Sequence, residues 1–239
     1  MKWVPDTTGR FDKRPHYSPG ELDDECEGII TKFLLEKYHK AEYPIKTDDL
    51  VCLLEQEANL DQFADLTSQG AGDIWGLTDF SPDQKPLVRI SSRLSGHLRF
   101  ENPFRTTLTH EFAHVRLHGF LFAEKSSRPT LFGAALKESH SCRREQIETV
   151  AEYDWAEWQA AYCSGALLMP RGAIRALAAG FAKRCALPAP RHHVDSVTGQ
   201  QLIDEVAKGF GVSALAAKVR LSKIGFIAEG REVQRTLLT

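Results

Sequence analysis

The sequence predicts an α+β fold: a mainly helical domain with a small antiparallel sheet, followed by a short C-terminal helical tail of helix-turn-helix type. Three observations predict it. Apolar residues recur at helical spacing over most of the chain. Between residues 60 and 92 that spacing gives way to two short β-rich runs, one with Ile74, Trp75, Leu77 and Phe80 and one with Leu87, Val88 and Ile90. Residues 188–198 then read as a linker ahead of two short helices.

In order along the chain, residues 1–25 contain Pro5, Gly9, Pro15, Pro19 and Gly20 and are expected to form an irregular surface arm. A helix over 22–41 places Ile29, Ile30, Phe33, Leu34 and Tyr38 on one side, and Pro44 stops it. A second helix starts near Thr47, which is expected as its N-cap, with Asp48 and Asp49 in the first turn. The β-rich runs are joined by Ser81, Pro82, Asp83, Gln84 and Lys85, which have turn chemistry. Asn102 and Pro103 open the next helix, expected to end at Gly119. The stretch 120–149 follows as a long variable segment broken by Pro129 and Gly133, in which His140 and Cys142 are expected as solvated loop residues. Helical pattern resumes near Ala151, breaks at Pro170, and continues over 171–185. Helices over 200–209 and 213–224 close the chain. The domain reading is therefore an arm over 1–25, a main domain over 26–187, and a linker with a helical segment over 188–239.

The bulk numbers exclude several classes. A length of 239 residues suits one large domain or one domain with a small appendage. Hydrophobic residues at 42% and charged residues at 26% are those of an ordinary globular protein. A net charge of -2 gives no footprint for nucleic acid. Cys26, Cys52, Cys142, Cys163 and Cys185 are odd in number and include no Cys-x-x-Cys, as expected of reduced thiols in a cytoplasmic protein. The polar start, 1–16, lacks the apolar core of a signal peptide, and no run of 18 apolar residues predicts a membrane span.

The chemistry concentrates at His110-Glu111-Phe112-Ala113-His114. Residues four apart on a helix are rotated by about 40° and separated by about 6 Å, so the two imidazoles point the same way. Both can reach one metal ion at about 2.0–2.1 Å. Glu111 lies about 100° further round. It is outside that ligand pair but able to take a proton from water at the metal, which is the arrangement for metal-assisted peptide hydrolysis. Thr106, Thr107, Leu108, Phe112, Val115 and Leu117 make the segment half-buried, as this geometry requires.

A hydrolytic zinc site takes three protein ligands and keeps one position open. His118 is four residues beyond His114 but about 12 Å up the axis from His110, too far for one straight helix to bring all three to one ion. It is expected to support the ligands from behind. A carboxylate from another helix is the better third ligand. Glu157 qualifies, with Ala160 and Ala161 allowing a close helix approach, and Asp154, Glu152 and Glu145 compete. Asp154 and Arg105 are further candidates for the supporting set.

The segment 105–118, Arg-Thr-Thr-Leu-Thr-His-Glu-Phe-Ala-His-Val-Arg-Leu-His, resembles the active-site helix of the ImmA/IrrE metallopeptidases. The segment 157–170, opening on Glu157 and ending Leu168-Met169-Pro170, is similar to that family's second motif. Phe210, Gly211, Val212 and Ser213, with Ala216, Ala217, Arg220 and Leu221, are similar to its helical tail, so the resemblance spans about 45–226. It implies a compact zinc-peptidase fold with one Zn2+ per chain, held by His110, His114 and, by position, Glu157, with Glu111 as catalytic base. Some members cleave a DNA-binding repressor, which implies a protein substrate of helix-turn-helix type and the relief of repression in a mobile element or a stress response. Two departures are visible. The second motif often carries Asn where this chain has Ala161 and Tyr162, and 120–153 is longer than the resemblance implies and is expected as an inserted lid or substrate-binding arm.

Two other readings compete with the endopeptidase: a repressor-binding regulator that does not cut, and a DNA-binding protein acting through the last two helices. Glu111 argues against the first, because pure binding has no use for a general base. Six Lys/Arg against four Asp/Glu over 200–239 is a weak excess for contacting phosphates.

Overall fold

The computed structural model describes residues 1–67, 74–81, 84–126, 138–143, 154–186 and 191–228. The chain divides into two compact units, Met1–Leu168 and Met169–Thr239. The division places the helix that begins at Arg171, expected with the main domain, in the second unit. The fold is mainly helical α+β, as the sequence predicts.

The first unit opens with order where an irregular arm is expected. β1 (Lys2–Pro5) pairs antiparallel with β2 (Lys13–His16), and Trp3 lies opposite Pro15. The prolines are tolerated because a two-stranded ribbon consists of edge strands, which do not need every N–H. Helix α1 (Pro19–Tyr38) starts three residues before the expected Leu22. Ser18 accepts from the Glu21 N–H while the Glu21 carboxylate accepts from the Ser18 N–H, a complete capping box, and Pro19 needs no intrahelical partner. Leu22, Cys26, Ile30, Phe33 and Leu34 form its buried stripe.

Helix α2 (Thr47–Glu57) corrects a second expectation. Lys46, not Thr47, occupies the N-cap position, and no side chain caps the helix there. Thr47 instead donates from its hydroxyl to Glu101 Oε1 at 2.9 Å. The sheet contains the expected antiparallel pair, β4 (Ile74–Phe80) with β5 (Leu87–Ser91), and two strands more. β3 (Asn59–Ala64) runs parallel to β5, and β6 (Glu138–Arg143) runs antiparallel to β4, for an order β3-β5-β4-β6. The sheet is therefore mixed. β6 comes from the stretch expected as a lid or arm: His140 lies opposite Thr78 and Cys142 opposite Gly76 in a strand, not in a loop.

Helix α3 (Glu101–Ser126) is the axis of this unit and continues past the expected end at Gly119. From Phe104 to His118 every residue except Thr106 and Arg116 is buried. A helix covered all round must satisfy its polar side chains internally. Thr107 and Thr109 do so by donating to the carbonyls of Pro103 and Arg105, four residues back. Helix α4 (Trp155–Leu168) packs against α3. The fully buried Ala160 and the small Ser164 lie on its packed face, and Ser164 meets both the Thr109 hydroxyl (2.8 Å) and the Thr106 carbonyl (3.0 Å). Small residues let the two backbones approach, and that approach places Glu157 over the middle of α3.

The second unit holds α5 (Arg171–Arg184), α6 (Val197–Phe210) and α7 (Ala214–Lys223), with a short parallel pair β7 (His192–His193) and β8 (Ile227–Ala228). Ser196 and Ser213 cap α6 and α7. Gly211, at φ 60°, ends α6 in the left-handed region that glycine enters without strain. Ile174, Phe181, Leu202, Val206, Phe210 and Leu221 are buried. Arg220 is also buried and donates from Nε to the Met169 carbonyl at 3.1 Å. Among the described residues no helix is long and apolar enough to cross a membrane.

Candidate metal centre

The two histidines of the motif sit on consecutive turns of α3, where regular helical hydrogen bonding aims both rings at α4. His114 Nε2 lies 3.1 Å from His110 Nε2. Glu157, in the first turn of α4, places Oε2 3.1 Å from His110 Nε2 and Oε1 3.4 Å from His114 Nε2. Among the described residues, His110, His114 and Glu157 form a buried group whose ligand atoms all lie within 4.8 Å of one another. Two imidazole nitrogens and one carboxylate are the donor set of a hydrolytic zinc site. The residues therefore fit a single divalent ion.

Glu111 points to the other side, toward the sheet. Its Oε2 accepts from the Thr78 hydroxyl at 2.5 Å, while Oε1 is buried with no hydrogen-bond partner. The carboxyl is fully buried, and that desolvation pushes its pKa up to about 7 against the pull of nearby His110 and of the Thr78 hydrogen bond. A carboxylate poised near neutrality is matched to general-base work. Gly76 of β4 makes room for it. A Cβ at position 76 would stand 2.4 Å from Glu111 Oε1 and 2.8 Å from Thr107 Cγ2, closer than such atoms can approach. The glycine is there because the strand backbone passes directly beside the catalytic candidate.

The structure sorts the three residues expected behind the ligands. His118, one turn above His114, places its Nδ1 3.1 Å from His114 Nδ1, and its Nε2 lies 3.0 Å from Gln159 Oε1. Asp154 touches the centre through backbone. Its Oδ1 accepts from the N–H groups of Ala156 (3.2 Å) and Glu157 (3.4 Å), the pattern of a helix N-cap, and pairs with Arg10 at 2.6 Å. It thus holds the turn that carries Glu157. Arg105 has a different task. Five residues before His110 it is rotated by about 140° from that ring. Its guanidinium donates to the carbonyl of Ile45 and to the Thr47 hydroxyl (3.4 Å), tying α3 to the start of α2. Glu145 and Glu152, the other carboxylates that compete for the ion, lie outside the described residues.

Three contributors are not singled out by the sequence. Thr78 and Gly76 come from a strand whose pairing with α3 no local pattern records. Gln159 reads as one more polar residue on a helix, yet it is only 1% exposed. The one available signal is that a glycine and a threonine, two apart, interrupt the apolar run of β4 on the same face.

The family model described as the IrrE N-terminal-like domain, Peptidase_M78, matches residues 67–222. The chain belongs to the ImmA/IrrE family. No curated relative matches it. The match covers α3 with both histidines and Glu111, and α4 with Glu157, and it extends into α7 as far as Ser222. The ImmA/IrrE assignment makes the chain a metallopeptidase in type, and the buried His-His-Glu group is compatible with the metal this type requires.

Proposed function

We propose that this ImmA/IrrE chain is a zinc-dependent endopeptidase that cleaves a cytoplasmic regulatory protein, a DNA-binding repressor of the helix-turn-helix type, and so relieves repression in a mobile element or a stress response. The observation that carries the reading is the convergence of His110, His114 and Glu157 in one buried group, with Glu111 held beside it on the same helix. His110, His114 and Glu157 would hold one zinc ion per chain. The ion, when bound, supplies Lewis acidity at the scissile carbonyl and at the attacking water.

The remaining steps belong to the protein. Glu111, in its ionised form, takes a proton from the water as it adds to the carbonyl. The same carboxyl then passes that proton to the departing amine, so proton uptake and release balance. Thr78 holds one oxygen of Glu111 in place by its hydroxyl, leaving Oε1 for the water. Burial of the whole group keeps solvent from screening these interactions. Arg220, one of the three basic residues of α7, is buried in the second unit, which weakens the case for that helix as a DNA-reading element.

Co-expression with the helix-turn-helix repressor encoded nearest to the gene tests the reading. The expected result is a new repressor fragment in the mass spectrum that disappears when Glu111→Gln replaces the wild type. An intact repressor beside the wild-type protein would contradict this choice of substrate.

A further inference from the structure

We propose that a hydrogen-bond relay, running from the Pro15 carbonyl through Gln159 and His118 to His114, fixes the ring tautomer in which His114 presents a bare Nε2 to the metal. The inference rests on the proposed metal site and deepens it, making His118 and Gln159 positioning residues and β2 a working part of the centre.

The direction of the relay is set at its far end. A backbone carbonyl only accepts, so the atom of Gln159 that lies 3.0 Å from Pro15 O is the amide nitrogen, and it donates. The amide oxygen is thereby turned to His118 Nε2, 3.0 Å away, and it too only accepts. His118 must carry its proton on Nε2. In the neutral ring Nδ1 is then bare, and it faces His114 Nδ1 at 3.1 Å. Two such nitrogens at that distance share one proton, which this assignment places on His114 Nδ1. The lone pair of His114 is left on Nε2, the atom 3.1 Å from His110 Nε2 and 3.4 Å from Glu157 Oε1. Gln159, His118 and His114 are each only 1% exposed, so the chain of donors and acceptors is insulated from bulk solvent.

The N-terminal ribbon encloses this relay. Trp155 meets the His118 ring edge-on, with centroids 5.2 Å apart at 87°. The indole Nε1 donates to Asp6 at 3.0 Å, and the Arg14 guanidinium lies 5.5 Å from the ring centroid. Residues 2–16 therefore fix two things at once: the Pro15 carbonyl that orients Gln159, and the tryptophan against which His118 rests. A decorative surface ribbon would have no reason to aim a backbone carbonyl at a buried glutamine two residues from a metal-ligand candidate.

The test reads nitrogen-15 shifts of histidine-labelled full-length protein, free of metal and then titrated with Zn2+, with signals assigned from single-histidine variants. The relay predicts opposite tautomers in the metal-free wild type: His114 protonated on Nδ1 and His118 on Nε2. It also predicts that Zn2+ shifts His114 at Nε2. His114 protonated on Nε2, or His118 on Nδ1, would overturn it, and this result is read on the wild-type protein itself. Gln159→Leu is expected to mix the His114 tautomers and to weaken zinc binding about 10–100-fold in chelator competition, the usual effect of removing an outer partner. A folded Gln159→Leu protein with unchanged tautomers and affinity overturns the relay as well. A wild type that takes up no zinc overturns the metal site itself, a failure told apart because the tautomers are read before metal is added.

Discussion

Glu111→Gln is expected to retain its metal and to cleave the protein substrate at least about 10²-fold more slowly than the wild type. The substitution keeps shape and hydrogen-bonding reach while removing the ability to accept a proton. The same change is expected to alter stability, in a direction set by burial. The Glu111 carboxyl has an ordinary value of 4.5 and is held at about 7 in the fold, so the folded protein keeps its proton where the unfolded chain has lost it. Stability from this group is complete below about pH 4.5, drains away as pH rises, and is gone above about pH 7. The span corresponds to about 3 kcal/mol. Gln cannot ionise and loses nothing over that interval. Urea midpoints of the metal-free proteins at pH 5 and pH 8 should therefore diverge, with the variant gaining on the wild type at the higher pH. Parallel midpoints at both pH values would show that Glu111 titrates like an exposed carboxyl.

Glu157→Gln is expected to weaken metal binding by more than about 100-fold, beyond the loss that follows removal of an outer partner. Among the described residues Glu157 is the one carboxylate in the His110–His114 group, and its two oxygens face the two rings at 3.1 and 3.4 Å. Its amide replacement brings a neutral, weaker oxygen and an NH2 group that cannot ligate. The fold should persist, because Asp154 still caps α4 and Ser164 still ties that helix to α3. Metal content and thermal unfolding, measured on one preparation, separate the two effects. A variant with full metal content would exclude Glu157 as a ligand.

The parts of this molecule visible in the sequence are those governed by local rules. His110 and His114 share a face because four residues nearly close a helical turn. Ser213 caps α7 where the pattern places the start of the last helix. The two apolar strands are legible because β4 and β5 are the inner strands of the sheet. Their neighbours are not. β3 exposes Asn59, Asp61 and Phe63 at one edge, and β6, Glu-Ser-His-Ser-Cys-Arg, carries no apolar run at all. An edge strand is specified by its partner's backbone more than by its own side chains. The ribbon of residues 2–16 is hidden for a similar reason. Prolines and glycines predict irregularity locally, whereas Trp155, Asp154 and Gln159, some 140 residues away, give those residues their place.

The centre divides along the same line. The metal-ligand candidates on α3 follow from spacing, and the choice of Glu157 over Asp154, Glu152 and Glu145 rests in the sequence on the resemblance alone; among the described residues the fold sets Glu157 against both rings. Asp154 is as acidic and one turn away, but it is spent on the N–H groups of its own helix. Nothing in sequence separates those two fates. The supporting atoms at Thr78, Gly76, Gln159 and Pro15 are all tertiary, and each is recognised only once distances are known.

Anomalous diffraction at the zinc edge from crystals of the zinc-loaded protein tests the central claim most directly. The account predicts one strong peak per chain, lying between His110 Nε2, His114 Nε2 and the Glu157 carboxylate, with Glu111 beside it and outside the ligand set. Zinc bound elsewhere in the chain, with those three side chains turned apart, would contradict it.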